Sequence, residues 1–293
     1  MEVALEIIIG KNSGFCFGVN NAVEKTKEKL KQIGKKNEVY CLGEIVHNQQ
    51  VTKGLEDLGL IIKEDINDVP ENSICIIRAH GVSPDVYKKS DDKKIELIDL
   101  TCPKVKMVHK LVEEYKNKNY FIIIIAKKSH PETIGTKGFA GDNSFVIEVD
   151  EDIELAKKEI EHLNIKNVLV ASQTTFSVEK FNKLSTKLKE SINNINIEIK
   201  SCICNSTDVR QNEVSELSKQ VDLMIVVGGK NSSNTGKLFD IANKEAPQSI
   251  WVQTKEDIDL EYIKKFNKIG IVSGASTPNE IIDEIANKCK MAI

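Results

Sequence analysis

Short apolar runs alternate with longer amphipathic stretches along this sequence, and that alternation narrows the choice of folds more than any other feature. The apolar runs are about four to seven residues long, which is typical of buried strands, and the stretches between them are long enough for helices. Strands that alternate with helices build a mainly parallel sheet with helices packed on its faces. The pattern therefore predicts an α/β protein.

The rhythm of these elements also predicts how the chain is divided. It indicates three comparable α/β units, residues 1–101, 102–202 and 203–293, each carrying one cysteine motif: Cys16 in the first, Cys102 in the second and Cys204 in the third. The predicted strands are Leu5–Ile9, Val39–Leu42, Ile74–Ile77, Glu96–Leu100, Tyr120–Ile125, Val168–Ala171, Leu223–Val227, Ile250–Val252 and Ile269–Val272.

Charge and hydropathy exclude several classes of partner. With 41 basic and 44 acidic residues the net charge is -3, and the lysines form no single block, so we expect no nucleic-acid partner. The longest apolar run, Tyr120–Ala126, is far too short to span a bilayer, and the acidic start lacks the basic region of a secretory signal. We expect no membrane partner and a cytoplasmic location.

Seven cysteines in a reducing compartment do not indicate a disulfide framework, because the number is odd and cytosolic thiols stay reduced. Cys41 and Cys75 lie inside apolar strands and Cys289 on a terminal helix, where a free cysteine is usually a small buried hydrophobe. We assign these three no chemistry.

The other cysteines point to metal binding. Cys16, Cys102 and Cys204 each precede a predicted helix, where the helix dipole favours the thiolate that binds metal. Cys202 could replace Cys204 as a ligand, although a partly buried role at a strand end suits it better. Three thiolates on an iron-sulfur cube leave one iron open, able to act as a Lewis acid on a substrate hydroxyl while the cluster delivers electrons.

Polar side chains follow most of the predicted strands, and strand ends in a parallel sheet face one crevice. His47, His80 and His130, with Ser232, Ser233, Asn234 and Ser276, could hydrogen-bond the oxygens of a diphosphate. His109 and His162 lie in helices and are expected to be structural or solvated. Neither Gly229-Lys230 nor Gly236-Lys237 completes a nucleotide-binding motif, so nucleotide chemistry is disfavoured.

Glu132 is the candidate general acid, with the Thr174 hydroxyl as a relay. Burial beside a cluster would raise the pKa of the Glu132 carboxyl into a range suited to proton donation. The alternative is that Glu132 only caps a helix that follows Pro131. Composition does not choose between these two interpretations.

In this order and over nearly the whole chain, the motifs resemble those of the 4-hydroxy-3-methylbut-2-enyl diphosphate reductase family of the non-mevalonate isoprenoid pathway. The resemblance rests on the segments 14–19, 45–48, 79–83, 101–103, 130–132, 173–175, 204–211 and 230–234. Ser129 and Asn205-Ser206-Thr207 depart from the residues usual in the family, without removing a functional group.

The resemblance implies a trefoil-like fold of three α/β units around a central [4Fe-4S] cluster held by Cys16, Cys102 and Cys204. It also implies reduction of the family's diphosphate substrate to isopentenyl and dimethylallyl diphosphate, with electrons from a ferredoxin- or flavodoxin-type donor. Glu132 would supply protons, Thr174 would lie near the hydroxymethyl end of the substrate, and Arg210 would support Cys204. The residues expected around the diphosphate are His47, His80, His130, Ser232, Ser233, Asn234 and Ser276.

Two other functions stay open on the residues alone. A cluster-dependent hydratase also uses a cube with one open iron, and the requirement for a reductant separates the two enzymes. A sensor that binds iron-sulfur or zinc would not need Glu132, Thr174 or the serines, and metal analysis separates zinc from iron.

Overall fold

The computed structural model describes residues 5–34, 38–192 and 194–292. In these residues, eleven helices and twelve strands alternate along the chain. The strands are β1 Glu6–Ile9, β2 Val39–Leu42, β3 Leu60–Lys63, β4 Ile74–Ile77, β5 Glu96–Asp99, β6 Phe121–Ile125, β7 Ser144–Ile147, β8 Asn167–Ser172, β9 Asn196–Lys200, β10 Leu223–Val227, β11 Ser249–Val252 and β12 Lys268–Ser273. The helices are α1 Phe17–Ile33, α2 Gln49–Asp57, α3 Pro84–Asp92, α4 Pro103–Asn117, α5 Pro131–Ala140, α6 Glu151–His162, α7 Val178–Ser191, α8 Asn205–Ser218, α9 Ser233–Glu245, α10 Leu260–Ile263 and α11 Asn279–Lys290.

The strands form three four-stranded sheets in which every pairing is parallel, and this confirms the predicted α/β class. The strand orders are β3-β2-β4-β5 in the first sheet, β7-β6-β8-β9 in the second and β1-β12-β10-β11 in the third. The central strands β6 and β10 are apolar and buried at every position, as expected where helices cover both faces of a sheet.

All nine predicted strands are present, and three further strands were missed: β3, β7 and β9. Each of these three lies at the edge of its sheet, where one side of the strand has no neighbour. β9 has the sequence NIEIK and no fully buried residue, so it carries a weak apolar signal. An edge position alone does not explain the three misses, because the edge strands β1, β5 and β11 were predicted.

Contacts divide the chain into two compact units, which are described separately. Unit 1 comprises Met1–Asn20, Val46–Gly54 and Asn205–Ile293 and holds the third sheet; unit 2 comprises Asn21–Ile45 and Leu55–Cys204 and holds the first and second sheets. β1 pairs with β12, so the first strand of the chain lies in the same sheet as the last strands. The boundaries 1–101, 102–202 and 203–293 stay a prediction.

The three cysteines to which no chemistry was assigned are buried, as expected. Cys41 and Cys75 lie in β2 and β4 and Cys289 in α11, each with no exposed surface. Burial raises the pKa of the Cys75 thiol to about 12 and that of Cys289 to about 11. These side chains therefore stay neutral and contribute to packing.

Among the described residues, none of the helices is both long enough and apolar enough to cross a membrane.

Candidate active site

In unit 1, the loop that carries Cys16 is held by hydrogen bonds to its backbone. Gly14 has φ +93°, a conformation that favours glycine, and its N–H donates to Ser273 Oγ at 2.7 Å. Arg210 Nη2 donates to the Gly14 carbonyl at 2.9 Å, and the Cys16 N–H donates to the Ala275 carbonyl at 3.2 Å. These bonds place the half-buried Cys16 immediately before α1.

Arg210 was expected to support Cys204, which stays a prediction, and it hydrogen-bonds to Ser206 and Gly14 in unit 1. Its Nη1 donates to the Ser206 carbonyl at 3.1 Å and also to the Ser206 hydroxyl. The side chain is 6% exposed. Within unit 1, Arg210 therefore holds the loop before Cys16 through the Gly14 carbonyl.

Four loops of unit 1 meet around the residues predicted to bind a diphosphate. Ser276 Oγ donates to the His47 carbonyl at 3.3 Å, and a Cβ added to Gly229 would lie 2.5 Å from that same oxygen. The Cys16 loop joins them through Ala275. The carboxyl ends of β10 and β12 thus bring His47, Ser276 and the start of α9 to one place.

The amino end of α9 carries the other three predicted residues. Ser232 is the N-cap, and its Oγ accepts a hydrogen bond from the Thr235 N–H at 3.3 Å. Ser233 begins the helix and is half-buried. Asn234 is 6% exposed, and neither its Oδ1 nor its Nδ2 is hydrogen-bonded to a described residue. A buried amide without partners at a helix N-terminus is suited to receive an anion.

Asn48, which was part of the His47 motif, has a structural role instead. Its Oδ1 accepts hydrogen bonds from the N–H groups of Gln50 and Val51, at 3.1 and 3.3 Å, and so caps α2.

In unit 2, the first sheet positions Cys102 and His80 next to each other. Cys102 is the N-cap of α4, and its N–H donates to the Ala79 carbonyl at 3.0 Å. His80 follows Ala79, and its ring meets the ring of His130 edge to face, with centroids 5.3 Å apart. The ends of β4, β5 and β6 therefore lie close together.

His130 is the N-cap of α5, and its Nδ1 accepts a hydrogen bond from the Glu132 N–H at 3.2 Å. A nitrogen that accepts carries no proton, so in the neutral ring the proton lies on Nε2. This hydrogen bond also rules out the alternative that Glu132 only caps α5. His130 caps the helix, and the Glu132 carboxylate is directed elsewhere.

The Glu132 carboxylate accepts two hydrogen bonds from Thr174. The Thr174 N–H lies 2.6 Å from Oε1 and the Thr174 hydroxyl 2.8 Å from Oε2. Glu132 is 1% exposed, and burial raises the pKa of its carboxyl to about 7, although both hydrogen bonds act to lower it. The expected rise in pKa is present, and the Thr174 hydroxyl is in contact with the acid.

Cys204 joins this arrangement through Thr174, because the Cys204 N–H donates to the Thr174 carbonyl at 2.9 Å. Cys202 is held by a different contact: its N–H donates to Ser172 Oγ at 2.8 Å. Burial, with a smaller effect of the nearby Glu132 carboxylate, raises the pKa of its thiol. Within unit 2, a continuous series of contacts therefore links two of the predicted ligands to the acid, in the order Cys102, Ala79, His80, His130, Glu132, Thr174 and Cys204.

Gln173 was quoted with its motif but given no role, and the structure supplies one. Its Oε1 accepts from the Lys127 N–H at 3.1 Å, and its Nε2 donates to Thr175 Oγ1 at 2.8 Å. It thereby ties the loop before His130 to the loop that carries Thr174.

The two helical histidines match their expected roles. His109 is 4% exposed in α4 and stacks on Phe139, and burial lowers the pKa of its ring to about 4. His162 is exposed at the end of α6. Neither is part of the contacts described above.

The cysteines fit a cluster by their chemistry. Cys16, Cys102 and Cys204 are half-buried and outside disulfides, and each directly precedes a helix. The cysteines in strands and in α11 are neutral and buried. The metal assignment itself stays a proposal.

Comparison with known proteins decides the family. A family model described as LytB protein matches residues 7–290. The chain belongs to the LytB family. Among the curated relatives of this LytB chain, "4-hydroxy-3-methylbut-2-enyl diphosphate reductase" of Clostridioides difficile (strain 630) is 40% identical over 287 residues, covering 96% of this chain and 98% of the relative. The protein of the same name from Caldanaerobacter subterraneus is 39% identical, with coverages of 98% and 97%.

Solved structures agree with this assignment. The reductase structure from Plasmodium falciparum superposes on this LytB chain with a TM-score of 0.89 at 35% identity, covering 97% of this chain and 87% of that one. A second structure, described as the terminal enzyme of the non-mevalonate pathway, has a TM-score of 0.70 at 34% identity, with coverages of 98% and 99%. The resemblance drawn from the motifs is confirmed, as is the expectation of an enzyme of the oxidoreductase class.

Proposed function

We propose that this LytB protein removes the C4 hydroxyl of 4-hydroxy-3-methylbut-2-enyl diphosphate by reduction, giving isopentenyl diphosphate and dimethylallyl diphosphate. The names of its curated relatives support this substrate. The observation that carries the proposal is the buried Glu132–Thr174 pair, in which a carboxyl with a pKa of about 7 contacts a hydroxyl. Such an acid suits proton donation to a departing hydroxyl near neutral pH.

Cys16, Cys102 and Cys204 would hold a [4Fe-4S] cluster. When bound, that cluster supplies electrons one at a time and, with only three protein ligands, offers one iron as a Lewis acid toward the substrate hydroxyl. Cys16 and Cys102 directly precede α1 and α4, and both side chains are only half-buried, so they are accessible to a ligand.

Glu132 would donate the proton that turns the leaving hydroxyl into water. Its contact with the Thr174 hydroxyl gives that proton a short route toward the substrate, and the Thr174 N–H holds the second carboxylate oxygen in place. The reaction consumes two electrons and two protons, breaks one C–O bond, forms one C–H bond and releases water. An electron donor of ferredoxin or flavodoxin type would supply the electrons.

The diphosphate would be bound by His47, His80, His130, Ser232, Ser233, Asn234 and Ser276. At α9, the helix dipole and the Asn234 amide favour a negative charge. His130 would donate from Nε2, since its Nδ1 is engaged with the Glu132 N–H. These groups would orient the substrate without taking part in bond breaking.

The test is anaerobic reconstitution with iron and sulfide, followed by an assay with the diphosphate substrate and a chemical one-electron reductant. We expect turnover that requires the reductant and yields both products. Turnover without reductant would indicate a hydratase, and a protein that retains only zinc and shows no turnover would indicate a sensor. Either result would overturn the proposal.

A further inference from the structure

A groove in unit 2 lies directly beside two of the predicted ligands. It has a volume of about 500 Å³ and is formed by α4 and the segment that follows β9. Lys104 on its wall is two residues from Cys102, and Ile203 immediately precedes Cys204. Nothing in the proposed reaction uses this groove.

The floor of the groove is apolar and partly exposed. Met107, Leu111 and Ile203 line it, and Met107 is 62% exposed. Methionine is flexible and polarisable, and it recurs on surfaces that bind other proteins. A protein interface typically has such an apolar centre with a polar rim.

The rim of the groove is positive on a chain that is acidic as a whole. Its charged lining side chains are Lys104, Lys110, Lys200 and Glu114. Glu114 is paired with Lys118 at 2.7 Å and Lys200 with Glu198 at 3.8 Å, whereas Lys104 and Lys110 form no ion pair with any described residue. The chain as a whole has a negative net charge, with 44 acidic and 41 basic residues. The groove lining has three lysines and one glutamate, so its net charge is positive.

We propose that this groove is the docking surface for a small acidic protein that carries one electron at a time. The inference rests on the proposed function, which needs two electrons delivered singly. Charge complementarity selects an acidic partner, and the position of the groove next to Cys102 and Cys204 selects an electron carrier. Encounters of this kind use small interfaces and depend on electrostatic steering.

Binding is tested first, without turnover, by titrating an oxidised acidic ferredoxin into the reconstituted enzyme. The groove variant is Lys110→Glu/Lys200→Glu. The control is Lys88→Glu/Lys158→Glu, which changes the net charge equally on exposed positions of α3 and α6. We expect the groove variant to raise the Kd roughly tenfold at low salt and the control to leave it within about twofold. Equal values for the two variants would overturn the proposal.

Turnover separates this inference from the proposed function. With a chemical reductant, wild type and both variants should reduce the substrate equally, which also shows that the groove variant is folded and loaded. With reduced ferredoxin, only the groove variant should show a KM for ferredoxin raised roughly tenfold, and the difference should shrink as salt increases.

Other results would identify a different cause. If the wild-type enzyme is inactive with both electron donors, the proposed function is contradicted. A selective loss of ferredoxin binding in the groove variant would in that case still support the groove as the docking surface. A groove variant that changes the oligomeric state, with unchanged ferredoxin affinity, would assign the groove to a second copy of the chain and overturn the proposal. A milder Lys110→Ala/Lys200→Ala variant should lie between wild type and the charge reversal.

Discussion

The carboxylate of Glu132 and residue Thr174 are joined by two hydrogen bonds, one from the Thr174 N–H at 2.6 Å and one from its hydroxyl at 2.8 Å. The two residues belong to α5 and to the loop after β8, so the contact exists only in the folded chain. Burial leaves the acid with a pKa of about 7, and the second bond connects it to a group that can pass a proton. Two predictions follow from this pair.

The first prediction concerns catalysis. Glu132→Gln should lower turnover by about 10² to 10⁴-fold, because general acid catalysis contributes that much, while iron content and the cluster spectrum stay unchanged. In wild type, activity with a chemical reductant should fall as pH rises through about 7, since only the protonated acid can donate. The residual activity of Glu132→Gln should lack that fall. Full activity in the variant would contradict the role of Glu132.

The second prediction concerns stability. The pKa of Glu132 is raised in the folded state, from 4.5 to about 7, so the folded protein binds this proton more tightly than the unfolded chain. The resulting stabilisation is fully present below pH 4.5 and is lost as pH rises through 7. The free energy of unfolding should fall by about 3 kcal/mol at most over this range. Between pH 5 and pH 8, wild type should therefore lose stability relative to Glu132→Gln, as measured by urea unfolding. Thr174→Val, which keeps the acid, should retain the pH dependence.

The third prediction distinguishes the ligand cysteines from their neighbour. Cys16→Ser, Cys102→Ser and Cys204→Ser should each lose most of the iron bound after anaerobic reconstitution, because a cube with only two thiolates is poorly held. Cys202→Ser is the matched control, and it should keep its iron, because the Cys202 thiol is neutral and two residues away from Cys204. Iron and sulfide per chain are the measurement. If Cys202→Ser loses its iron and Cys204→Ser retains it, Cys202 is the ligand and Cys204 is not.

The fourth prediction separates binding from folding at α9. Asn234→Ala removes a buried amide that makes no hydrogen bond to a described residue, so it should leave the free energy of unfolding unchanged or slightly higher. It should nevertheless raise the KM for the diphosphate roughly tenfold, as expected for the loss of a hydrogen bond to a charged group. Asn48→Ala provides the contrast, because it removes the cap of α2 and should cost about 1 kcal/mol of stability. An unchanged KM in Asn234→Ala would remove Asn234 from the site.

Arg210 illustrates a residue whose place could not be anticipated. The sequence marks it as one of two arginines among 41 basic residues and sets it near Cys204 along the chain. In unit 1 its guanidinium reaches the carbonyl of Gly14, 196 positions earlier. That contact could not be predicted, because a long side chain is directed by the packing of its helix and not by its nearest neighbour in the chain. The expected support of Cys204 by Arg210 stays a prediction.

The amino-acid sequence by itself determined the α/β class, nine of the twelve described strands and the polar residues at their ends. Apolar periodicity and turn chemistry are local properties, so they can be read without knowing the fold. Tertiary structure alone decided the edge strands β3, β7 and β9, the capping of α5 by His130 instead of Glu132, and the pairing of Glu132 with Thr174. These depend on which surfaces become buried and on which distant groups then meet. Burial, which only the folded chain creates, is also what brings the pKa of Glu132 to about 7.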